Sequence, residues 1–214
     1  MKTRQKLRTC IPYPPNMRYL RCNVFFLQLL AFLLLLSCKP DSLPANKDTK
    51  KLYQSFHGKY KIISSNASEA IDANLDGVSS TNLLTELIEI ENSKIEIRIQ
   101  GSTPYLFDES WPTHFFTGIG GTGENMPAAY DPRITVNYLM QGAIRQFEFD
   151  EKLEQILLLQ DSPYTDQIRF PRPTSIKLKP GEIIELTINR TFYTTGGIKN
   201  VQVVTLYKRY TMVT

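Results

Sequence analysis

The stretch from Ile184 to Tyr210, "IELTINRTFYTTGGIKNVQVVTLYKRY", decides the fold of this chain. Its first six residues alternate between apolar and polar side chains, which predicts a strand with one buried face and one wet face. Gly196 and Gly197 then provide the positive φ angles of a hairpin turn. A second strand over residues 201–210 follows the turn, so the stretch predicts an antiparallel pair.

The same period of two recurs after residue 51 and predicts further strands whose polar residues face water. The apolar positions are Ile95, Ile97 and Ile99, then Phe147 and Phe149, then Ile176 and Leu178, and the polar partners include Glu96, Arg98 and Gln100. Less regular strands are expected at residues 59–64, 134–140 and 155–159. About eight or nine strands in a domain of this length enclose a core. Short antiparallel connections predict an all-β barrel, with a sandwich as the alternative.

One segment departs from this pattern. In "TNLLTELIE", residues 81–89, the apolar positions Leu83, Leu84, Leu87 and Ile88 lie at helical spacing. This spacing predicts one short helix whose apolar face packs against the strands. The chain shows no internal repeat and no second set of elements, so residues 52–214 are read as a single β-domain.

The amino-terminal region holds an apolar run, "VFFLQLLAFLLLL" at residues 24–36, in which only Gln28 is polar. Its thirteen residues fall short of the about 20 that a membrane-spanning helix needs. Six basic residues and no acidic residue precede it. This combination is typical of a signal peptide, which we assign to residues 1–37.

The run ends in "LLSC", residues 35–38, which resembles the lipobox of bacterial lipoproteins. In those proteins the cysteine thiol is acylated and becomes the first residue after cleavage, so the resemblance implies lipidation at Cys38. Cys10 and Cys22 lie upstream and no cysteine follows, so the domain has no disulfide to form. We expect a lipid-anchored lipoprotein of the bacterial cell envelope, in the outer membrane. An ordinary secretory signal with an incidental cysteine is the alternative.

Removal of residues 1–37 reverses the sign of the net charge. The 25 Lys and Arg residues fall to 19 because six lie in that segment, the 21 Asp and Glu residues remain, and the net charge becomes −2. No basic field is left to bind nucleic acid. Residues 39–51, "KPDSLPANKDTKK", are polar and lack an apolar period, which predicts a flexible tether over residues 38–51. Within it, "DSL" resembles an O-glycosylation motif of Bacteroidota and implies modification at Ser42.

Three segments resemble the lipocalin-like lipoproteins of Bacteroidota: "FHGKY" at residues 56–60, "LDGVSSTNLLTELIE" at 75–89 and "VVTLYKRY" at 203–210. The first is similar to their opening strand, although Tyr60 replaces the usual Trp, and the last is similar to their closing strand. The resemblance implies an antiparallel β-barrel that holds a small ligand, with Arg209 packed across Tyr60. It names no ligand, because one fold hosts many functions.

The segment "AIDANLDGVSSTN", residues 70–82, matches the D-x-[DN]-x-[DN]-G pattern of calcium-binding loops. The predicted ligands are Asp72, Asn74, Asp76, the Val78 carbonyl and Ser80. Calcium suits them because it is a hard cation that takes about six to eight oxygen ligands. An EF-hand has Glu at the twelfth position, where this chain has Leu83, and Glu86 follows three residues later. The alternative is an Asx-rich turn that caps the predicted helix through residues 79–81.

Aromatic side chains are dense in "YLFDESWPTHFF", residues 105–116, which contains the only tryptophan of the chain. Aromatic rings beside hydrogen-bonding groups hold many sugars and small apolar ligands. The candidate ligand-binding residues are therefore Trp111, Tyr105, Phe115 and Phe116. The same density is also typical of a plug that fills a core, and the sequence leaves both readings open.

Other chemistries find little support. "GIGGTG" at residues 118–123 matches a dinucleotide-binding pattern, but Pro127 and Pro132 oppose the helix that such a site requires. His57 and His114, the only histidines, lack the spacing of a ligand pair, and no G-x-S-x-G elbow occurs. We expect a module that binds a small molecule or an envelope partner and no catalytic residues. A scaffold without ligand and a polysaccharide hydrolase with paired carboxylates are the alternatives.

Overall fold

The computed structural model describes residues 47–101, 103–160 and 169–214. They lie in the second of the two units into which the chain divides, Ala45–Thr214. The predicted signal peptide, the acylated Cys38 and the glycosylation site at Ser42 lie outside the described residues. Within the described ranges, no helix has both the length and the apolar character needed to cross a membrane.

Strands dominate the described part of the chain. They are β1 Gly58–Ile71, β2 Ser80–Asn82, β3 Lys94–Arg98, β4 Tyr105–Gly118, β5 Ile134–Phe149, β6 Ile156–Leu158, β7 Ser175–Lys179, β8 Ile183–Thr194 and β9 Gly197–Thr211. The helices are α1 Lys47–Phe56 and the single turn α2 Leu83–Glu86, and a 3₁₀ turn covers Ile90–Asn92. All strand pairs are antiparallel.

The strands form one sheet in the order β6-β5-β4-β3-β1-β9-β8-β7, with β2 paired to β1. The two ends of this order meet, because the Leu178 N–H of β7 donates to the Glu154 carbonyl at 2.8 Å and Gln155 bridges to Lys177. The sheet is therefore a nearly closed antiparallel barrel. This confirms the predicted all-β barrel and excludes the open sandwich.

Closure is complete at one end of the barrel only. β6 pairs with residues 147–149 of β5, and β7 pairs with residues 183–187 of β8. The remaining lengths of β5 and β8 each keep one edge without a strand partner among the described residues. Phe170 approaches this opening, since Arg145 Nη2 donates to the Phe170 carbonyl at 2.6 Å.

The hairpin that joins β8 and β9 has the predicted position. Thr194 pairs with Gly197, so Thr195 and Gly196 form a two-residue loop. Of the two glycines, only Gly197 takes a positive φ, 97°. The alternating apolar side chains of β8 are buried as expected: Ile184, Leu186 and Ile188 are almost fully enclosed.

The buried apolar side chains form a small cluster of Phe116, Ile134 and Tyr193 and two large clusters. One contains Ile95, Ile97, Phe107, Phe147 and Leu186 among others, and Leu52 and Phe56 of α1 pack against it. The other contains Ile71, Leu83, Trp111, Ile188 and Phe192 among others. The helix α1 thus covers the first cluster, and its first five residues take in Lys47–Lys51 of the predicted tether. These five residues are therefore helical.

The predicted helix over residues 81–89 is only partly formed, because α2 ends at Glu86. Leu87 already has extended backbone angles, φ −113° and ψ 119°, which interrupts the helical spacing. As a result Leu83 and Leu87 are buried, whereas Leu84 is 39% and Ile88 60% exposed. The predicted four-residue apolar face was wrong in these two positions.

Glu96 was expected to face water and is instead 7% exposed. β3 lies between β1 and β4, where Glu96 is paired with Lys59 on one side and Asp108 on the other. Arg98 Nε donates to Glu96 Oε1 at 2.5 Å. Neighbouring polar side chains therefore cover Glu96 on the outer face of the strand. The alternation of polar and apolar residues within β3 could not predict this burial, because the covering side chains include those of other strands.

Candidate functional site

A cavity of about 260 Å³ lies between β4 and β8. Four strand steps separate these strands in the sheet order, so they face each other across the barrel. The wall consists of residues 111–114 of β4, residues 124–126 of the loop after β4, residues 190–192 of β8, and Arg169 and Pro171. The cavity therefore lies beside the incompletely closed side of the barrel.

The centre of the site is a buried ion pair between Arg190 and Glu109, whose side chains are each 6% exposed. The Arg190 guanidinium also lies over the Trp111 ring, 3.8 Å from its centroid. Glu109 and Trp111 lie on the buried face of β4 and Arg190 lies on the buried face of β8. Closure of the barrel brings the three side chains together. A guanidinium that pairs with a carboxylate and stacks on an indole is held rigidly in place.

Two polar atoms of this buried group have no protein hydrogen-bond partner among the described residues: Arg190 Nε and Tyr207 Oη. Burial raises the pKa of Tyr207 well above its usual value, and the Glu109 carboxylate raises it further while Arg190 lowers it. The phenol therefore stays protonated. A buried donor without an acceptor costs about 1–3 kcal/mol, and of these two residues only Arg190 lines the cavity.

His114 supplies a second polar group to the cavity wall. Its ring is parallel to that of Phe116, with centroids 5.5 Å apart, and its Nε2 accepts a long hydrogen bond from the Tyr193 N–H, 3.5 Å. His114 is part of the cavity wall, and burial lowers the pKa of His114 to about 4. The imidazole is therefore neutral at pH 7. With Nε2 as acceptor, its proton resides on Nδ1.

Glu124 is the only carboxylate among the described residues of the cavity wall. It forms an ion pair of 2.6 Å with Arg169 and accepts a hydrogen bond of 2.9 Å from Gln141 Nε2. Each acidic side chain at the described site is thus matched by an arginine. Glu109 pairs with Arg190 but is not part of the wall; when it is counted, the described site has no excess of either charge.

The predicted aromatic ligand-binding residues do not all meet at this cavity. Trp111 lines it. Tyr105 belongs to the other core cluster, where it packs against Phe147 and Phe149. Phe116 is buried against Tyr193, and Phe115 is only half-buried; neither is part of the cavity wall. The alternation of buried and exposed residues in β4 is interrupted after Thr113. The number of aromatic residues in the segment could not predict this interruption.

Sequence reasoning missed Arg190, although the chain contains a signal for it. Ile184, Leu186 and Ile188 define the inward phase of β8, and Arg190 is the next position in that phase. A charged residue at a position that periodicity places inside a barrel requires a buried partner. The partner itself, Glu109, comes from a distant strand, and only the closed barrel identifies it.

The D-x-N-x-D-G segment forms a tight loop after β1. Its side-chain oxygens accept backbone N–H groups further along: Asp72 Oδ2 from Gly77 at 3.1 Å, Asn74 Oδ1 from Asp76 at 3.0 Å, and Asp76 Oδ1 from Val78 at 2.7 Å. Gly77 has a φ of 88°. Ser80 Oγ accepts the Asn82 N–H. The helix cap is Asn82, whose Oδ1 accepts from Leu84, and not residues 79–81 as the capping alternative held.

His57, the glycine-rich segment and the Tyr60–Arg209 pair take part in contacts that stabilise the fold. His57 is buried, and its Nδ1 accepts the Ile99 N–H at 3.1 Å. The glycine-rich segment 118–123 is a turn closed by mutual backbone hydrogen bonds between Phe116 and Gly123. Tyr60 and Arg209 are directly opposite in the β1–β9 ladder. No helix follows the glycine turn within the described residues up to Gln160.

Comparisons of this chain with known protein families, with curated protein sequences and with solved structures gave no match. The architecture therefore defines the class by itself: an all-β antiparallel barrel with a buried arginine–glutamate pair beside a cavity. The chain is assigned to no family.

Proposed function

We propose that this protein is a lipid-anchored lipoprotein of the bacterial cell envelope whose barrel binds a small uncharged molecule in the cavity between β4 and β8. The observation that carries the binding proposal is Arg190 Nε, a buried donor without a protein acceptor in the described structure, on a side chain that lines the cavity and stacks on Trp111.

The surrounding charges indicate the chemistry of the ligand. Glu109 already neutralises Arg190, and His114 is neutral. An anionic ligand would be repelled by Glu109, whereas a hydroxyl, ether or carbonyl oxygen accepts from Arg190 Nε without adding charge. Trp111 and Phe192 offer apolar surface to a flat ring. The volume of about 260 Å³ is slightly below the roughly 300–1,000 Å³ of drug-sized sites. A single sugar ring or a single-ring aromatic amide fits this description.

The rival functions receive less support from the site. A glycoside hydrolase needs two carboxylates on either side of the scissile bond, and the described cavity wall holds one, Glu124, which Arg169 pairs. A scaffold without ligand does not require a cavity whose wall contains Trp111 and Arg190. Binding is therefore the function that the geometry favours.

The binding proposal is tested by the fluorescence of Trp111, the only tryptophan in the chain. We expect members of a panel of monosaccharides, methyl glycosides and single-ring aromatic amides to change its emission in a saturable way. Arg190→Lys keeps the positive charge but removes the Nε donor. It should weaken binding roughly 10- to 100-fold, because a hydrogen bond to a charged group contributes about 1.5–3 kcal/mol.

The matched control is Arg133→Lys, which changes an exposed arginine that does not line the cavity and should leave the affinity unchanged. Circular dichroism spectra of both variants establish that they are folded. The binding proposal fails if no member of the panel changes the Trp111 emission at millimolar concentration, or if folded Arg190→Lys binds as tightly as the wild type.

The anchoring proposal rests on "LLSC" at residues 35–38 and on the apolar run before it. Cys38→Ala removes the thiol that acylation requires. We expect this variant, expressed in a bacterium that processes lipoproteins, to leave the membrane fraction and to lose incorporation of labelled fatty acid. Cys22→Ala is the matched control and should change neither. A wild-type chain without label, or one cleaved away from Cys38, would contradict the proposal.

A further inference from the structure

A short segment crosses the incompletely closed side of the barrel beside the cavity. It consists of residues 169–172, which we call the strap. On one side of the opening, the Phe170 carbonyl accepts a hydrogen bond of 2.6 Å from Arg145 Nη2 of β5. On the other side, the Thr174 N–H just after the strap donates to the Thr187 carbonyl of β8 at 2.9 Å. The strap therefore reaches from the β5 side of the opening to the β8 side.

Arginine side chains hold the strap in place. No strand of the described residues pairs with residues 169–172. Arg172 instead attaches the strap to the end of β6, because it donates from Nη1 to the Leu159 carbonyl at 2.7 Å and from Nη2 to the Leu158 carbonyl at 2.5 Å. A segment held by a few partly exposed contacts opens more readily than a strand in a continuous ladder.

The strap forms part of the cavity wall and is joined there to the loop after β4. Arg169 and Pro171 line the cavity on the strap, and Glu124 lines it on the loop. Arg169 and Glu124 form an ion pair of 2.6 Å, and Gln141 Nε2 holds Glu124 at 2.9 Å. The two side chains of the pair are 23% and 38% exposed. Salt in the solvent therefore screens their attraction.

We propose that the strap controls the access of small molecules to the cavity, and that the Glu124–Arg169 ion pair holds it closed. An ion pair of this exposure shifts an equilibrium by about 1.5- to 5-fold, which suits a contact that breaks and re-forms as a ligand enters. Entry requires the strap to move away from the loop after β4, while Thr174 remains bonded to β8. The inference rests on the proposed function, because a strap regulates only a cavity that a ligand enters.

Quenching of the Trp111 fluorescence by acrylamide measures this access without a cavity ligand. Acrylamide is a small neutral molecule, and Trp111 is the only tryptophan of the chain and lines the cavity. In the full chain, purified in detergent, we expect a quenching constant well below that of N-acetyltryptophanamide. Glu124→Gln keeps an oxygen for Gln141 but removes the charge that pairs with Arg169. It should raise the quenching constant by about 1.5- to 5-fold.

Arg169→Gln should have the same effect as Glu124→Gln, and the double variant should exceed neither, because both changes remove one interaction. Glu69→Gln is the matched control. It breaks a partly exposed ion pair with Lys199 outside the described cavity wall and should leave the quenching constant unchanged. Circular dichroism establishes that each variant is folded.

Salt provides a test that needs no variant. Sodium chloride raised from about 0.05 M to about 0.5 M should increase the quenching of the wild type by screening the pair, and should not do so in Glu124→Gln. The proposal is overturned if the wild type is quenched as freely as N-acetyltryptophanamide, or if folded Glu124→Gln keeps the wild-type quenching constant. If Glu124→Gln does not fold, a wild type that is insensitive to salt overturns it.

The strap proposal and the binding proposal fail separately. A panel of ligands without effect on Trp111 emission would refute binding and leave the quenching results unchanged. Unchanged quenching in folded Glu124→Gln would refute the strap and leave any measured ligand affinity in place.

Discussion

Glu109→Gln should lower the free energy of unfolding by about 3–5 kcal/mol, the cost of leaving a buried charge without its partner. The change keeps the size of the side chain and removes only its charge. Arg190 would then remain 5% exposed with its positive charge uncompensated inside the barrel. Chemical denaturation followed by circular dichroism measures the change in the free energy of unfolding.

The double variant Glu109→Gln with Arg190→Met separates charge from packing. Met retains the length of the side chain and its contact with Trp111 but carries no charge, so the double variant should be more stable than Glu109→Gln alone. A double-mutant cycle then gives the coupling energy of the pair. A loss below about 1 kcal/mol for Glu109→Gln would mean that water reaches the pair, because that is the range of exposed salt bridges.

Ile97→Asp should also cost about 3–5 kcal/mol, because it places an unpaired carboxylate in the apolar cluster that α1 covers. Ile97 is fully buried on β3, and its partner in the ladder, Phe107, is fully buried as well. Lys94→Gln changes the one exposed residue of the same strand and should alter stability by no more than about 0.5 kcal/mol. Thermal or denaturant unfolding of both variants provides the comparison.

Equal effects from these two changes would contradict the inward assignment of Ile97. Glu96 is not a neutral control for this experiment. Its carboxylate is covered and lies near Arg98 and Lys59, so Glu96→Lys would bring three cations together on one face. That change should therefore be more costly than Lys94→Gln.

The strands of this protein could be predicted because apolar and polar residues alternate along each half-buried strand, and the apolar residues mark its buried face. The period of two in β8 identified Ile184, Leu186 and Ile188 as core residues, and the two glycines identified the hairpin. β4 was harder, because Pro112 lies within it. Proline is tolerated there since β3 pairs only with residues 106–110 of β4, which leaves the β3-facing edge free of a strand beyond Ser110.

The apolar helix pattern was a weaker guide, because one turn of α2 followed by extended backbone at Leu87 gives a different burial from a continuous helix. Leu84 and Ile88 are exposed for that reason. Burial there depends on where the helix ends, which local spacing alone does not determine.

The amino-acid sequence by itself determined the barrel class, the hairpin and the loop pattern at Asp72–Gly77, because these depend on residues that are neighbours along the chain. The cavity depended on tertiary structure, since Glu109 and Arg190 belong to strands that meet only across the closed barrel. The same holds for Glu86, whose carboxylate reaches the loop only because α2 folds back beside Ala73. The alternation of residues along a strand indicates which side of that strand is buried. A buried charge and its partner can be far apart in the sequence, so only the folded chain shows which residues are in contact.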